Sequence, residues 1–253
     1  MKSSNQIKVE VRFTASQSDE MSLKDKNVVV IDVLRACTTV AAALANGAKE
    51  IIPVNSIESV VKISGNLFGD VTLRAGERGG KRIEGFNLGN SPREYEESIV
   101  KGKSIIFITT NGTPAIVKGR HSKNLVLGSF VNLSRVVEFL GSLDGDAVIV
   151  CSGHDGRFCI EDAVCAGRMV GRIQETFPGK VVTDDAGAAA VALDKNVGKG
   201  LLKMLRNSEH GQYLSDLGFA DDLKICSGVD TIPVLPILAG SVLRSFTEHS
   251  KQR

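Results

Sequence analysis

Short runs of β-branched and aliphatic residues alternate along the chain with stretches in which apolar positions recur every three or four residues. Such alternation predicts strands followed by helices, packed as an α/β fold with helices on both faces of a largely parallel or mixed sheet. The clearest unit is residues 28–47, VVVIDVLRACTTVAAALANG. Its first four residues suit a strand buried on both faces. The alanine-rich stretch after them suits a helix, and Gly47 its left-handed cap. Residues 7–13 alternate apolar and polar, as an edge or half-exposed strand would, and 19–27 read as a polar linker. Buried strands are expected at 49–54, 71–75, 104–108, 125–127 and 147–150. Helices are expected at 57–63, at 133–140, and along the apolar face of Ala163, Ala166, Val170, Ile173 and Phe177. From about 184 onward the pattern is helical, over 184–193, 201–205 and 207–217. Short strands are expected at 223–226 and 231–235, the second placed at an edge by Pro233. No repeat or composition break divides the chain, so residues 1–253 are expected to form one three-layer α/β/α domain.

Composition narrows the function classes. At 253 residues, 42% hydrophobic and 24% charged, the chain is an ordinary globular sequence with ample core. A net charge of +2, two Tyr and no Trp argue against nucleic acid as a partner. No apolar run approaches the ~18 residues a membrane span needs. The start, MKSSNQIKVEVRF, has no apolar signal region, and five cysteines without a CxxC pair read as reduced thiols. A cytoplasmic protein is expected, and assembly into a homo-oligomer stays open.

Candidate chemistry collects where predicted strands end. Asp32, Arg35, Thr38 and Thr39 follow the first buried strand. Residues 76–96, GERGGKRIEGFNLGNSPREYE, form a long segment without a period, and loops of that length are usually functional or disordered. Its Glu77, Arg78, Lys81, Arg82, Asn90 and Ser91 favour function over a bare solvated lid. TTNGTP places Thr110, Asn111, Gly112 and Thr113 in a strand-to-helix turn, with Thr113 as N-cap before Pro114. CSGHDGRFCIED supplies Cys151, His154, Arg157, Glu161 and Asp162. Parallel strands bring such ends to one edge, where ligands of open α/β sheets bind. Few, hard oxygen donors suit Mg²⁺, with Asp32, Glu77, Glu161 and Asp162 as candidate ligands. Arginine offers a fixed fork to a phosphate. The acids of 161 and 162 also suit a helix N-terminus without any metal. The residues together read as a site for a small anionic phosphorylated substrate. Neither GxxxxGK[ST] nor GxGxxG after a strand is present, so nucleotide phosphate loops are not indicated. Two covalent alternatives remain. Asp32 is placed like an aspartyl-phosphate nucleophile, although Leu34 stands where those enzymes carry a second acid. Cys151 and Arg157 have the spacing of a cysteine-phosphatase loop, although Asp155 would oppose the phosphate there. Of the histidines, His154 and His210 fall among the candidate segments, and a lone His is more often a surface or capping group than a catalyst.

Taken in order, VVVIDVLRACTTVAAALANGA, AGERGGKRIEGFNLGNSP, TTNGT, LGSFVN, CSGHDGRFCIEDAVCAG, SEHGQYL and the Asp221-Asp222 pair resemble the 2-phosphosulfolactate phosphatase (ComB-like) family. The resemblance implies a ComB-like α/β fold and Mg²⁺-dependent hydrolysis of phosphosulfolactate to sulfolactate and phosphate, a step of coenzyme M biosynthesis in archaeal members. It also favours His210 as a catalytic residue. Two positions depart from the family pattern, which has Thr or Ser at Cys37 and Asp at Asn87. A phosphohydrolase or phosphotransferase for another anionic metabolite, and a non-catalytic anion-binding module, are the competing readings.

Overall fold

The computed structural model of the chain describes residues 6–66, 71–143 and 145–246. In chain order the strands are β1 (Ile7–Arg12), β2 (Asn27–Ile31), β3 (Glu50–Pro53), β4 (Thr72–Arg78), β5 (Lys81–Arg82) and β6 (Ser104–Ile108). They continue with β7 (Asn124–Gly128), β8 (Ala147–Cys151), β9 (Val181–Thr183), β10 (Pro236–Ala239) and β11 (Val242–Ser245). The helices are α1 (Glu20–Leu23), α2 (Ala36–Ala45), α3 (Ile57–Asn66), α4 (Glu97–Val100), α5 (Gly112–Lys118) and α6 (Leu133–Gly141). After them come α7 (Ile160–Thr176), α8 (Asp185–Val197), α9 (Leu201–Asn207), α10 (Glu209–Asp216) and α11 (Asp222–Cys226).

All eleven strands join one mixed sheet, ordered β5-β4-β6-β3-β11-β10-β7-β2-β8-β1-β9. β2 lies flush between β7 and β8, with Ile31 opposite both Gly128 and Cys151. Its side chains alternate as a strand's must. Val28 and Val30 face a cluster built on α2 and α5, while Val29 and Ile31 face one built on α6 and α7. These four residues are completely buried, each contributing about 1.5–3 kcal/mol of transfer free energy. The layers are therefore α/β/α, as the periodicity predicts.

The route by which strand ends meet differs from a simple parallel edge. β7, β2, β8, β1 and β9 are mutually parallel, and so are β4, β6 and β3. The β10–β11 hairpin between the two blocks is antiparallel to its neighbour on either side, which sets the blocks in opposite formal directions. Five strand steps separate β2 from β6, and at about 20–25° each the right-handed twist rotates one block by more than roughly 100° against the other. Residues of β2, β3, β4, β6, β7, β8 and β11 pack on the one cluster that contains α2 and α5. The sheet thus wraps around those two helices and brings the carboxyl ends of β2, β4 and β6 back together. At Gly76 a side chain would collide with the Ile108 carbonyl of β6, so β4 can approach β6 this closely only with glycine there.

Several local expectations need correction. Residues 76–96 are not irregular throughout: β4 runs on to Arg78 and turns into β5, because Glu77 and Arg78 pair with Arg82 and Lys81. β1 is no edge strand but lies between β8 and β9. Helix α5 begins at Gly112, so Thr113 is inside its first turn rather than at the N-cap. Residues 223–226 are helical, and 231–235 precede the strand instead of forming it. Pro236 opens β10, and this hairpin sits mid-sheet. Among the described residues no helix is long and apolar enough to cross a membrane.

Candidate active site

Asp32 ends β2 and turns its carboxylate toward the start of α2, where Oδ1 accepts from the Ala36 amide at 3.0 Å. Gly112, the first residue of α5, lies directly against the other side of this group. A Cβ at 112 would come within 2.6 Å of Asp32 Oδ2, so only glycine leaves that oxygen accessible. Burial pushes Asp32 up to about 6. The His210 charge and the Ala36 amide act against that rise, and the Glu77 and Glu161 carboxylates add to it.

Two adjoining cavities open at this point. The inner one, about 190 Å³, is lined by Asp32, Arg35, Glu77, Asn90, Thr109, Thr110 and Asn111. The outer one, about 390 Å³, is lined by Arg157, Phe158, Ile160, Glu161 and Glu209. His154, Asp155 and His210 border both. The two histidine rings lie 4.1 Å apart, centroid to centroid, tilted by 32°. His210 Nδ1 is 3.2 Å from Glu161 Oε1. Burial and the neighbouring His210 hold His154 below the usual imidazole range. Among the described residues, Asn90 Oδ1, His154 Nδ1 and Glu161 Oε2 are buried polar atoms without a hydrogen-bond partner. Orphaned acceptors beside a cavity are unusual enough to point to a ligand or ordered water.

The other predicted residues divide into supports and bystanders. Glu77 is buried and accepts from Gly80 N at 2.8 Å, Thr110 N at 2.7 Å and Thr110 Oγ1 at 3.2 Å, tying the β4–β5 turn to the end of β6. Asn111 Oδ1 accepts from the Asp155 amide, and Thr113 exchanges hydrogen bonds with Thr109. Arg35 reaches the inner cavity, but its guanidinium is already committed. It pairs with Asp222 at 2.7 Å, donates to the Gly80 carbonyl at 2.8 Å and stacks 4.2 Å over the Phe219 ring. It is therefore a neutralised clamp rather than a free fork for phosphate. Ser91 donates to the other oxygen of Asp222, which places it behind Arg35. Thr39 donates to the Asn90 carbonyl and fixes that loop. Thr38 is fully buried, bonded to Val33 O and Ser129 Oγ, and faces neither cavity.

The remaining candidates lie outside the inner cavity. Asp162 lines neither cavity; its two oxygens accept Val33 N at 2.9 Å and Gly153 N at 3.1 Å and hold the turns after β2 and β8 together. Cys151 is buried in the core, and burial drives its thiol well above the range in which a thiolate forms. Arg157 lines the outer cavity, where a substrate group can reach it, while Cys151 in the core leaves the cysteine-loop spacing without an accessible thiol. Arg78 and Lys81 are exposed on the edge hairpin and line neither cavity. The two departures from the family pattern are also accounted for locally. Cys37 donates to the Val30 carbonyl inside the core, and Asn87 Oδ1 accepts from Arg74 N at the exposed end of the hairpin. Asp222, 187 residues from Arg35 along the chain, is the functional neighbour that periodicity does not find. Its sole sequence signal is the acidic pair at 221–222.

Fold and site together define an α/β protein with a small polar cleft whose walls carry carboxylates and paired histidines, the equipment of an enzyme that works on a small polar substrate. Residues 13–241 match the family described as 2-phosphosulpholactate phosphatase, and the chain belongs to that family. It is 39% identical over 232 residues to a probable 2-phosphosulfolactate phosphatase of Caldanaerobacter subterraneus subsp. tengcongensis, spanning 92% of this chain and 95% of that protein. Proteins of the same name from Gloeothece citriformis and Thermotoga maritima are 40% and 39% identical. They cover 83% and 86% of this chain, and 87% and 91% of their own lengths.

Proposed function

We propose that the protein hydrolyses (2R)-2-phospho-3-sulfolactate to 3-sulfolactate and phosphate with the help of Mg²⁺, the type of reaction used in coenzyme M biosynthesis. Family membership supports the substrate. The observation that supports the metal is the charge of the inner cavity. Asp32, Glu77 and Asp155 face it, and its one arginine is already paired with Asp222. The substrate carries phosphate, carboxylate and sulfonate, about four negative charges when fully ionised. An acid-lined cavity repels such a molecule unless a cation comes with it.

The donor set fits magnesium. Among the described residues no three His, Cys, Asp or Glu side chains form a ready cage for a metal ion. Mg²⁺ instead takes one or two carboxylates and completes its shell with water and substrate oxygens. Asp32, with Oδ2 toward Gly112, and Glu77 across the cavity would hold it, with the unpartnered side-chain oxygen Oδ1 of Asn90 beside them. When bound, the metal would offset the phosphoryl charge as phosphorus is attacked. The chain's own groups do the rest. Arg35 and Asp222 hold the β4–β5 turn over the inner cavity, and Glu77 ties that turn to the end of β6.

Phosphate release from phosphosulfolactate and a panel of other phosphorylated hydroxy acids, with chelator and with added Mg²⁺, tests this reading. Release from phosphosulfolactate above all others, lost with chelator and restored by Mg²⁺, is expected. Preference for another acid would move the assignment to that metabolite. Full turnover of metal-free enzyme would remove Mg²⁺ from it.

A further inference from the structure

The mechanism above leaves the outer cavity and the histidine pair unused. Only His154, Asp155 and His210 belong to the walls of both cavities, so they form a waist between them. A phosphate ester whose phosphoryl group occupies the inner cavity and whose organic part extends into the outer one must pass its bridging oxygen through that waist. The ester oxygen then lies against imidazole, not carboxylate alone. Glu161 lies behind His210, 1% exposed, with Oε1 at 3.2 Å from Nδ1. An ionised carboxylate only accepts hydrogen bonds, so this contact puts a proton on Nδ1 and leaves Nε2 as the ring's other working nitrogen. Near van der Waals stacking of His154 on His210 fixes the ring from its face.

Resting on the phosphatase reading, we infer that His210 is the general acid that protonates the departing alkoxide, and that Glu161 and His154 are positioning residues that set its ring. In the step, water oxygen bonds to phosphorus while the bond from phosphorus to the bridging oxygen breaks. That oxygen keeps the bonding electron pair and takes the Nε2 proton, leaving as the hydroxyl of the hydroxy acid. The phosphate product forms as H₂PO₄⁻ and returns one proton to His210, so no other reactant is consumed. A secondary alkoxide is a poor leaving group, and a placed acid typically contributes about 10²–10⁴-fold to such a departure.

The test is a leaving-group series: 2-phospholactate and 2-phospho-3,3,3-trifluorolactate, similar in size but with a far more acidic alcohol in the second, with 2-phosphosulfolactate beside them. For the wild-type enzyme the preference for phosphosulfolactate is expected in kcat/KM, while kcat changes little between phospholactate and the trifluoro compound. For His210→Gln it is expected to fall by about a hundredfold or more with phospholactate and by much less with the trifluoro compound. Glu161→Gln keeps the shape of the carboxylate and is expected to give an intermediate slope, which a merely structural role would not produce. A bridging-¹⁸O isotope effect that rises in His210→Gln would support the same conclusion on the natural substrate alone. Equal losses across the series in both variants, with the isotope effect unchanged, would overturn the acid role while leaving the phosphatase reading intact. No turnover of any member by the wild-type enzyme would overturn both.

Discussion

Replacing Asp32 with Asn should make the metal-free protein more stable while removing its activity. The buried Asp32 carboxyl rises from an ordinary 3.8 to about 6 in the folded chain. A rise of roughly two pH units, at about 1.4 kcal/mol each, corresponds to about 3 kcal/mol as an upper bound. Between pH 3.8 and about 6 the folded state keeps a proton that the unfolded chain has already lost, so stability falls as pH rises through that window. Above it the full cost is present, because a carboxylate is then held in the fold beside Glu77 and Glu161 without a counter-cation. Asn cannot ionise, and its side-chain oxygen still accepts from the Ala36 amide. Urea unfolding followed by circular dichroism, with chelator present, should therefore find Asp32→Asn more stable than wild type at pH 7.5 by up to about 3 kcal/mol. The gap should shrink as pH falls below 6 and close near pH 4. Added Mg²⁺ should stabilise the wild type by mass action and the variant less. A variant less stable than wild type at pH 7.5, or a gap that ignores pH, would refute the reasoning.

Asp222→Ala leaves the Arg35 guanidinium, buried to 1% exposure, without its partner and should cost about 3–5 kcal/mol of stability. Chemical denaturation measures this, with Asp222→Asn expected to lose less. Cys151→Ser should retain phosphate release, since the thiol sits in the core away from both cavities. Turnover reduced a hundredfold in a folded variant would count against that placement. Arg78→Ala and Lys81→Ala should each change kcat/KM by no more than about fivefold, the reach of an exposed charge. The change should be equal for phosphosulfolactate and phospholactate, and a selective loss with the sulfonated substrate would show that the hairpin closes over it.

The chain's own pattern is enough to place β2, α2, β6, β7, β8 and α7, because each carries a periodicity set by burial on one or both faces. It also marks Asp32, Glu77 and Glu161 as residues of interest, since strand ends and helix starts announce themselves through local rules for caps and turns, whereas His210 stands out only through the family resemblance. What it could not settle is which of these groups remain free. Asp162 and Glu161 are neighbours with the same chemistry, yet one is bonded to two amides in the turns after β2 and β8 while the other backs a histidine. Arg35 reads as a phosphate fork until Asp222, far along the chain, neutralises it. Residues 223–226 fold as a helix and the strand begins only at Pro236, because short apolar runs carry no unique period. Where they fall is decided by the hairpin that wedges between two parallel blocks. The two-cavity site with its histidine waist exists only because the accumulated twist of that sheet folds distant carboxyl ends together. Hydrogen-bond partners and charge compensation are properties of contacts between segments, and a local pattern cannot encode them.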